Sequence, residues 1–341
     1  MRCPRLADLP PAPPCRSGWP WTEDSPQHPD VGRGGEDWPR ITIVTPSLNQ
    51  AAYLEETIRS VLLQGYPDLE YIVVDGGSTD GCSQIIAKYS RWLAYWVSEP
   101  DKGQSDALNK GFARATGQVF GYVNSDDLYL PEALRTVAPY FLGTRQPCLV
   151  AGECVVFRDG QRDRTFVPWW PASLAHLLEP FGSPFAQPSS FWSRSLHERV
   201  GGFDAHLQFV FDREFFLKLG LQGVAPLLIS SPISRYRDHP ATKTSQTIKF
   251  YEESIPLIQR YASRCGLDTT AAAALLRVCR DEIRYLSTFA CWRHRGRAAA
   301  LAFFLRAILQ SPRILGQRKV LGLARRLICF PAEAVAELRN V

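Results

Sequence analysis

Apolar and polar positions alternate with a regular rhythm from residue 41 onward. Residues 41–46 (Ile-Thr-Ile-Val-Thr-Pro) form a short β-branched run, the pattern of a buried parallel strand. Residues 53–64 place Leu54, Ile58, Val61 and Leu62 on one helical face. The pattern then predicts a strand over 71–74, a helix over 83–89, a strand over 93–97, a helix over 106–115 and a strand over 119–123. Strands alternating with helices in this way predict an α/β fold around a doubly wound, mainly parallel sheet with helices on both faces. Ligands of such sheets bind beyond the carboxyl ends of the strands, near the point where strand order reverses. Polar residues at those ends are therefore the place to look for chemistry. After about residue 145 the rhythm weakens. Residues 148–157 predict a strand, 169–191 an irregular stretch rich in proline and aromatics, and 211–219 a helix. From residue 248 the pattern is helical again, most clearly at 271–276, 298–309 and 332–338.

Residues 1–38 carry eight prolines and read as a flexible leader, although Trp19, Trp21 and Trp38 offer means of docking on the body. The expected organisation is thus a leader over 1–38, a catalytic-sized α/β domain over 39–245 and a helical carboxyl-terminal extension over 246–341. An apolar content of 45% with 21% charged residues is that of an ordinary globular chain, which excludes a disordered one. The net charge of +5 is unevenly spread: residues 1–258 hold 24 basic and 29 acidic groups, residues 259–341 hold 15 and 5. The tail therefore suits an anionic partner. Nine scattered cysteines without a CxxC pair argue against a disulfide framework and a structural zinc site, and point to a reducing cytosol. No basic-then-apolar signal segment is visible at the amino end, and the apolar run over 298–305 is far short of the roughly 20 residues that span a bilayer.

Three polar stretches fall at predicted strand ends. In Val74-Asp-Gly-Gly-Ser-Thr-Asp-Gly81, Asp75 ends a strand, and the glycines let another group approach closely. A carboxylate there can accept hydrogen bonds from a base N–H or ribose hydroxyls; a tight strand-to-helix turn is the plain alternative. The stretch is neither a P-loop nor a GxGxxG fingerprint. In Tyr122-Val-Asn-Ser-Asp-Asp-Leu-Tyr-Leu-Pro131, adjacent Asp126 and Asp127 are unfavourable unless a cation or donors neutralise them. Mg²⁺ or Mn²⁺ held by a carboxylate and two phosphates would do so, as against a solvated turn capping the next helix. Between them, Asp101, Lys102 and Gly103 precede a helix whose free N–H groups favour anions.

Together these stretches resemble the inverting family 2 glycosyltransferases, which have the GT-A fold, over roughly residues 40–245. Thr45-Pro-Ser-Leu-Asn-Gln50 looks like that family's opening strand and loop, which puts Pro46 and Asn49 beside the nucleotide. Val74 to Gly81 is similar to its nucleotide-binding segment, which implies that Asp75 holds the base or ribose. The stretch from Glu99 to Gly111 is close to a form found in one branch, and puts Asp101, Lys102 and Gln104 at the donor. Asn124-Ser-Asp126 falls where the family carries its Asp-x-Asp metal motif. Asparagine replaces the first aspartate, so Asn124 and Ser125 would contact the donor and Asp126 would be the direct metal ligand. The segment from Phe211 to Leu219 resembles the one carrying the catalytic carboxylate, making Asp212 the base, with Glu214 its rival and a helix-capping role for Asp212 the alternative. Gln187-Pro-Ser-Ser-Phe-Trp192 looks like an acceptor-side loop, where Phe191 or Trp192 could stack on a sugar or simply pack in a core. Arg235-Tyr-Arg-Asp-His-Pro-Ala-Thr-Lys243 resembles the segment closing over the diphosphate, with His239 in the metal shell and Arg237 or Lys243 on phosphate.

The resemblance implies a nucleotide-sugar donor, with a UDP-sugar expected, Mn²⁺ or Mg²⁺, and a saccharide or lipid-linked saccharide acceptor. It implies a role in building cell-surface polysaccharide or glycolipid. Arginines interleaved with apolar residues over 293–327 fit either an amphipathic surface lying on an anionic membrane or a basic bundle packed on the body. The expected location is cytoplasmic, peripheral on the inner face of the membrane, and no nucleic-acid-binding module is visible. Two other classes compete: a sugar nucleotidyltransferase, disfavoured because Pro46-Ser-Leu-Asn-Gln50 offers no cation for a triphosphate, and a non-catalytic nucleotide-sugar-binding scaffold.

Overall fold

The computed structural model of the chain describes residues 1–310 except 32–34, 36, 144–147, 159, 181, 241, 244, 245 and 296, and leaves aside the side chains of 292–297. The helix expected over 332–338 and most of the arginine-rich stretch over 293–327 lie outside the described residues. The chain divides into two compact units, one of Met1–Leu177 with Gly182–Thr242 and one of Leu178–Phe181 with the chain from Lys243 onward.

The first unit is built on strands β1 (Ile41–Ser47), β2 (Leu69–Asp75), β3 (Tyr95–Ser98), β4 (Val119–Tyr122), β5 (Leu128–Tyr129), β6 (Leu149–Phe157), β7 (Arg164–Phe166), β8 (Ser190–Ser193) and β9 (Leu227–Arg237). Its helices are α1 (Ala51–Leu62), α2 (Cys82–Tyr89), α3 (Gln104–Phe112), α4 (Ala133–Val137), α5 (Arg194–Val200) and α6 (Phe211–Leu221). The sheet runs β3-β2-β1-β4-β8-β6-β9-β5, with β7 paired to β6. β3, β2, β1 and β4 are mutually parallel; β8 then runs antiparallel to β4 and β6, and β9 lies parallel to β6. The first half is the predicted parallel sheet. Strand order reverses at β1, so the loops after β1, β2, β3 and β4 converge at one edge.

Each β1 residue is buried, as expected of a strand covered on both faces. Leu54, Ile58, Val61 and Leu62 of α1 join the main core with Ile43, Tyr71 and Val73. On α3, a Cβ at Gly111 would come 2.5 Å from Val44 Cγ1, so only glycine lets this helix lie so close to β1.

The described residues of the leader pack against α1 and β5. Cys3, Leu9, Trp21 and His28 are buried, and Arg59 of α1, 1% exposed, donates to the carbonyls of Pro10 (2.8 Å), Pro20 (3.0 Å) and Trp21 (3.2 Å). Trp19 Nε1 donates to Tyr129 O at 2.8 Å. A proline-rich segment has carbonyl acceptors but few N–H donors, and cannot satisfy itself with a ladder. A buried guanidinium supplies the missing donors, and the tryptophans supply the apolar contact.

The second unit contains α7 (Thr247–Tyr261), α8 (Thr269–Arg295) and α9 (Arg297–Gln310). Among the described residues no helix is long and apolar enough to cross a membrane.

Candidate active site

The loop after β2 is built around Asp75. Its carboxylate is fully buried and accepts Ser78 N (2.9 Å), Ser78 Oγ and Ser98 Oγ (2.6 Å). Asp75 therefore organises the loop, and its oxygens are not presented to solvent as the sequence expectation for a base or ribose contact requires. Asn49, in a left-handed conformation (φ 53°) that asparagine tolerates, pins the same loop. Its Oδ1 accepts Thr79 N at 2.9 Å, and its own N–H donates to Ser78 Oγ at 2.7 Å. Asp80 has one oxygen on Cys82 N and the other on Ala51 N at the start of α1. Pro46 is buried within β1, in register with Val74 and beyond the residues that pair with β4, where its missing N–H leaves no ladder bond unmade.

The partly exposed carboxylate beside this loop is Asp101. A Cβ on Gly76 would lie 2.7 Å from its Oδ2, so the glycine makes room for the carboxylate. Burial raises Asp101 above the usual carboxylate range, and the nearby Asp106 and Asp75 charges add to this, against the Gly103 N–H and Lys110. Asp101 Oδ1 accepts Gly103 N at 2.8 Å, and Lys102 N donates to Asp106 at 3.0 Å. Lys110 pairs with Glu99 at 3.0 Å, as a solvated face would have it.

From α3 the rim continues to the loop after β4. Gln104 Nε2 donates to Asn124 Oδ1 at 2.6 Å, and Asn124 Nδ2 donates to Asp127 at 3.2 Å. Ser125 is buried, and its carbonyl accepts Thr57 Oγ1. The two adjacent aspartates have different environments. Asp127 is buried, and burial together with the Asp126 charge pushes it well above the ordinary carboxylate range, against the Arg237 N–H and the Asn124 amide. Asp126 remains partly exposed, 3.1 Å from His239 Nε2. Arg237 braces this turn: Nε donates to Asp126 O (3.1 Å), Nη2 pairs with Glu56 (2.8 Å), and the guanidinium lies over Tyr53 and Phe157. That makes it a strut for the turn rather than a ready phosphate ligand. Lys243 belongs to the second unit.

Asp212 stands on the first turn of α6, with Oδ1 accepting Arg213 N at 2.7 Å. The approach to α6 is tied to α3: Ser105 Oγ donates to Leu207 O (2.8 Å), and Gln208 Nε2 donates to Lys102 O (2.9 Å). Tyr122, at the end of β4, is raised by burial and then by the charges of Asp212 and Asp127, so Asp212 is close to the metal-loop side of the rim. Glu214, the rival base, is buried and paired with Lys218 at 3.0 Å, which leaves Asp212 the accessible carboxylate of the two. Phe191 and Trp192 are wholly buried in β8 and cannot stack on a sugar.

One rim thus carries Asp101, Gln104, Asn124, Asp126, His239 and Asp212, with Asp75 beneath it. Among the described residues no group of three or more His, Cys, Asp or Glu is arranged to hold a metal by itself. A carboxylate beside an imidazole fits a Mg²⁺ or Mn²⁺ ion whose remaining ligands come from a diphosphate and water. The sequence reading missed β9, because Ser230, Ser231 and Pro232 interrupt its pattern where its register against β6 shifts. It also missed Tyr53, Glu56 and Thr57 of α1, which brace the loop after β4 directly or through Arg237.

The sequence profile described as Glycosyl transferase family 2 matches residues 42–201. An uncharacterized glycosyltransferase of Mycobacterium tuberculosis is 32% identical over 184 residues, 54% of this chain and 70% of that protein. A PGL/p-HBAD biosynthesis glycosyltransferase of Mycobacterium bovis is 30% identical over 186 residues, 53% of this chain and 69% of that protein. Among solved structures, residues 1–349 of TarS from S. aureus superimpose with a TM-score of 0.52 at 19% identity, covering 81% of this chain and 82% of that one; a second structure of the same fragment holds UDP. The structural likeness establishes the GT-A fold, and the sequence relatives show that this chain belongs to glycosyltransferase family 2.

Proposed function

We propose that the chain transfers a sugar from a UDP-sugar to a hydroxyl of a saccharide or lipid-linked saccharide, with inversion, in the building of a surface polysaccharide or glycolipid. The observation that carries this reading is the Asp126–His239 pair on the rim that also carries Asp101 and Asp212. Asp101, partly exposed and raised above the usual carboxylate range chiefly by burial, is better placed than Asp75 to meet the nucleotide's polar edge. Asp126 and His239 would hold Mn²⁺ or Mg²⁺, which when bound offsets the charge of the departing diphosphate. Asp212 accepts the proton of the acceptor hydroxyl while that oxygen bonds the anomeric carbon and the bond to the diphosphate breaks, its electron pair leaving with the phosphate. Arg237, Glu56 and Thr57 keep the metal loop in place, and Asp127 is held inside it by the Arg237 N–H and the Asn124 amide.

The test is a panel of UDP- and GDP-sugars assayed for donor hydrolysis with Mn²⁺, with Asp212→Asn alongside wild type. Wild-type turnover of a UDP-sugar and a loss of at least about 100-fold in Asp212→Asn are expected. Hydrolysis undiminished in the variant would remove Asp212 as base. UDP binding indifferent to Mn²⁺, with no turnover of any donor, would favour the non-catalytic scaffold.

A further inference from the structure

Tyr122 ends β4 with its side chain wholly buried, yet its hydroxyl finds no hydrogen-bond partner among the described residues. The ring is fixed: it lies edge-on to Phe203 (5.6 Å between centroids) and Trp192 (6.3 Å) and against Phe211 at 6.5 Å, the residue immediately before Asp212. Gln187 Nε2 holds the Tyr122 carbonyl at 2.6 Å. A phenylalanine would fill the same space without burying an unpaired hydroxyl, which costs stability. Burial and the charges of Asp212 and Asp127 raise Tyr122 far above its ordinary range, so the group keeps its proton and can act only as a donor toward a carboxylate. Asp212 is the carboxylate that acts on it most strongly, and it stands partly exposed on the rim.

We propose that Tyr122 is a positioning residue for Asp212: its hydroxyl donates to one Asp212 oxygen in the substrate-bound enzyme and turns the other toward the acceptor hydroxyl. The inference rests on the reading of Asp212 as base. It assigns the hydroxyl to the reaction rather than to the resting fold, so its removal acts on turnover and leaves donor binding alone.

The experiment compares wild type, Tyr122→Phe, Asp212→Asn and the double variant. The probes are hydrolysis of the UDP-sugar turned over fastest in the panel, calorimetric binding of UDP with Mn²⁺, and the melting temperature. For Tyr122→Phe the expected result is a kcat lower by about tenfold or more, with KM and UDP affinity within twofold and a melting temperature no lower than wild type. In the Asp212→Asn background the same substitution is expected to change the residual rate by less than twofold. Three results would overturn the proposal: an unchanged kcat, an equal loss in both backgrounds, or a lower melting temperature, which would show that the hydroxyl already has a partner in the resting protein. An Asp212→Asn variant that retains wild-type rate would instead defeat the base assignment, and the two failures are distinguished by that single variant.

Discussion

Arg59→Ala is the substitution whose cost the structure specifies most fully. The side chain is 1% exposed and donates to the carbonyls of Pro10, Pro20 and Trp21 and to Tyr89 Oη, which in turn donates to Glu55. Its guanidinium also lies 5.2 Å from the Trp21 ring. Removing it leaves three carbonyls without their donor, at about 1–3 kcal/mol for each that stays dry. Some are rewetted when the leader loosens, and the burial cost of the charge is recovered, so a net loss of roughly 3–5 kcal/mol is expected. For a unit of this size that corresponds to a fall of roughly 6–20 °C in melting temperature. Arg59→Lys should recover less than half, since an ammonium on a single stem cannot reach carbonyls in three directions. The assays are thermal melting and limited proteolysis followed by amino-terminal sequencing: cleavage is expected to begin within residues 1–38. UDP binding at temperatures well below the new midpoint should stay within about threefold, because the site is braced by Tyr53, Glu56 and Thr57 and not by Arg59. A shift under about 2 °C with no new cleavage would refute the argument that a proline-rich strap needs an external donor.

Three further outcomes are expected. Asn124→Asp restores the family's first acidic position, but here it removes the donor to Asp127 and adds charge beside two aspartates; kcat/KM should fall at least about tenfold, and a rise in activity with tighter Mn²⁺ dependence would show the asparagine to be a weakened ligand after all. Asp126→Asn should abolish the strengthening of UDP binding by Mn²⁺ in calorimetry, since Asp126 supplies the carboxylate of the pair with His239; an unaltered Mn²⁺ response would place the metal elsewhere. His197 is lowered to about 4 by burial and then by the Lys218 charge, and its ring packs on Phe112, Trp192 and Phe215. The unfolded chain protonates near 6.5, so it binds the extra proton between pH 6.5 and 4. This contribution to stability is therefore complete above about pH 6.5 and lost as the pH falls toward 4, by on the order of 3 kcal/mol at most. Urea unfolding at pH 7, 5.5 and 4.5 should show that slope, and His197→Phe should flatten it.

The parallel half of the sheet was legible along the chain because β1, β2 and β4 are buried on both faces and each helix shows one apolar stripe; periods of two and 3.6 are local properties. The polar ends of those strands were legible for the same reason, so Asp75, Asp101 and Asp126 could be named from the pattern, whereas Asn124 and Asp212 were named through the family resemblance. Tertiary structure alone decided how each aspartate behaves. Asp75 and Asp126 look alike in sequence, but Ser78 and Ser98 enclose one and leave the other open beside His239. It also decided that the leader is a strap, because the guanidinium that satisfies Pro10 and Pro20 comes from a helix some forty to fifty residues further on. Burial and hydrogen-bond satisfaction depend on groups distant in the chain, and no local period carries that information.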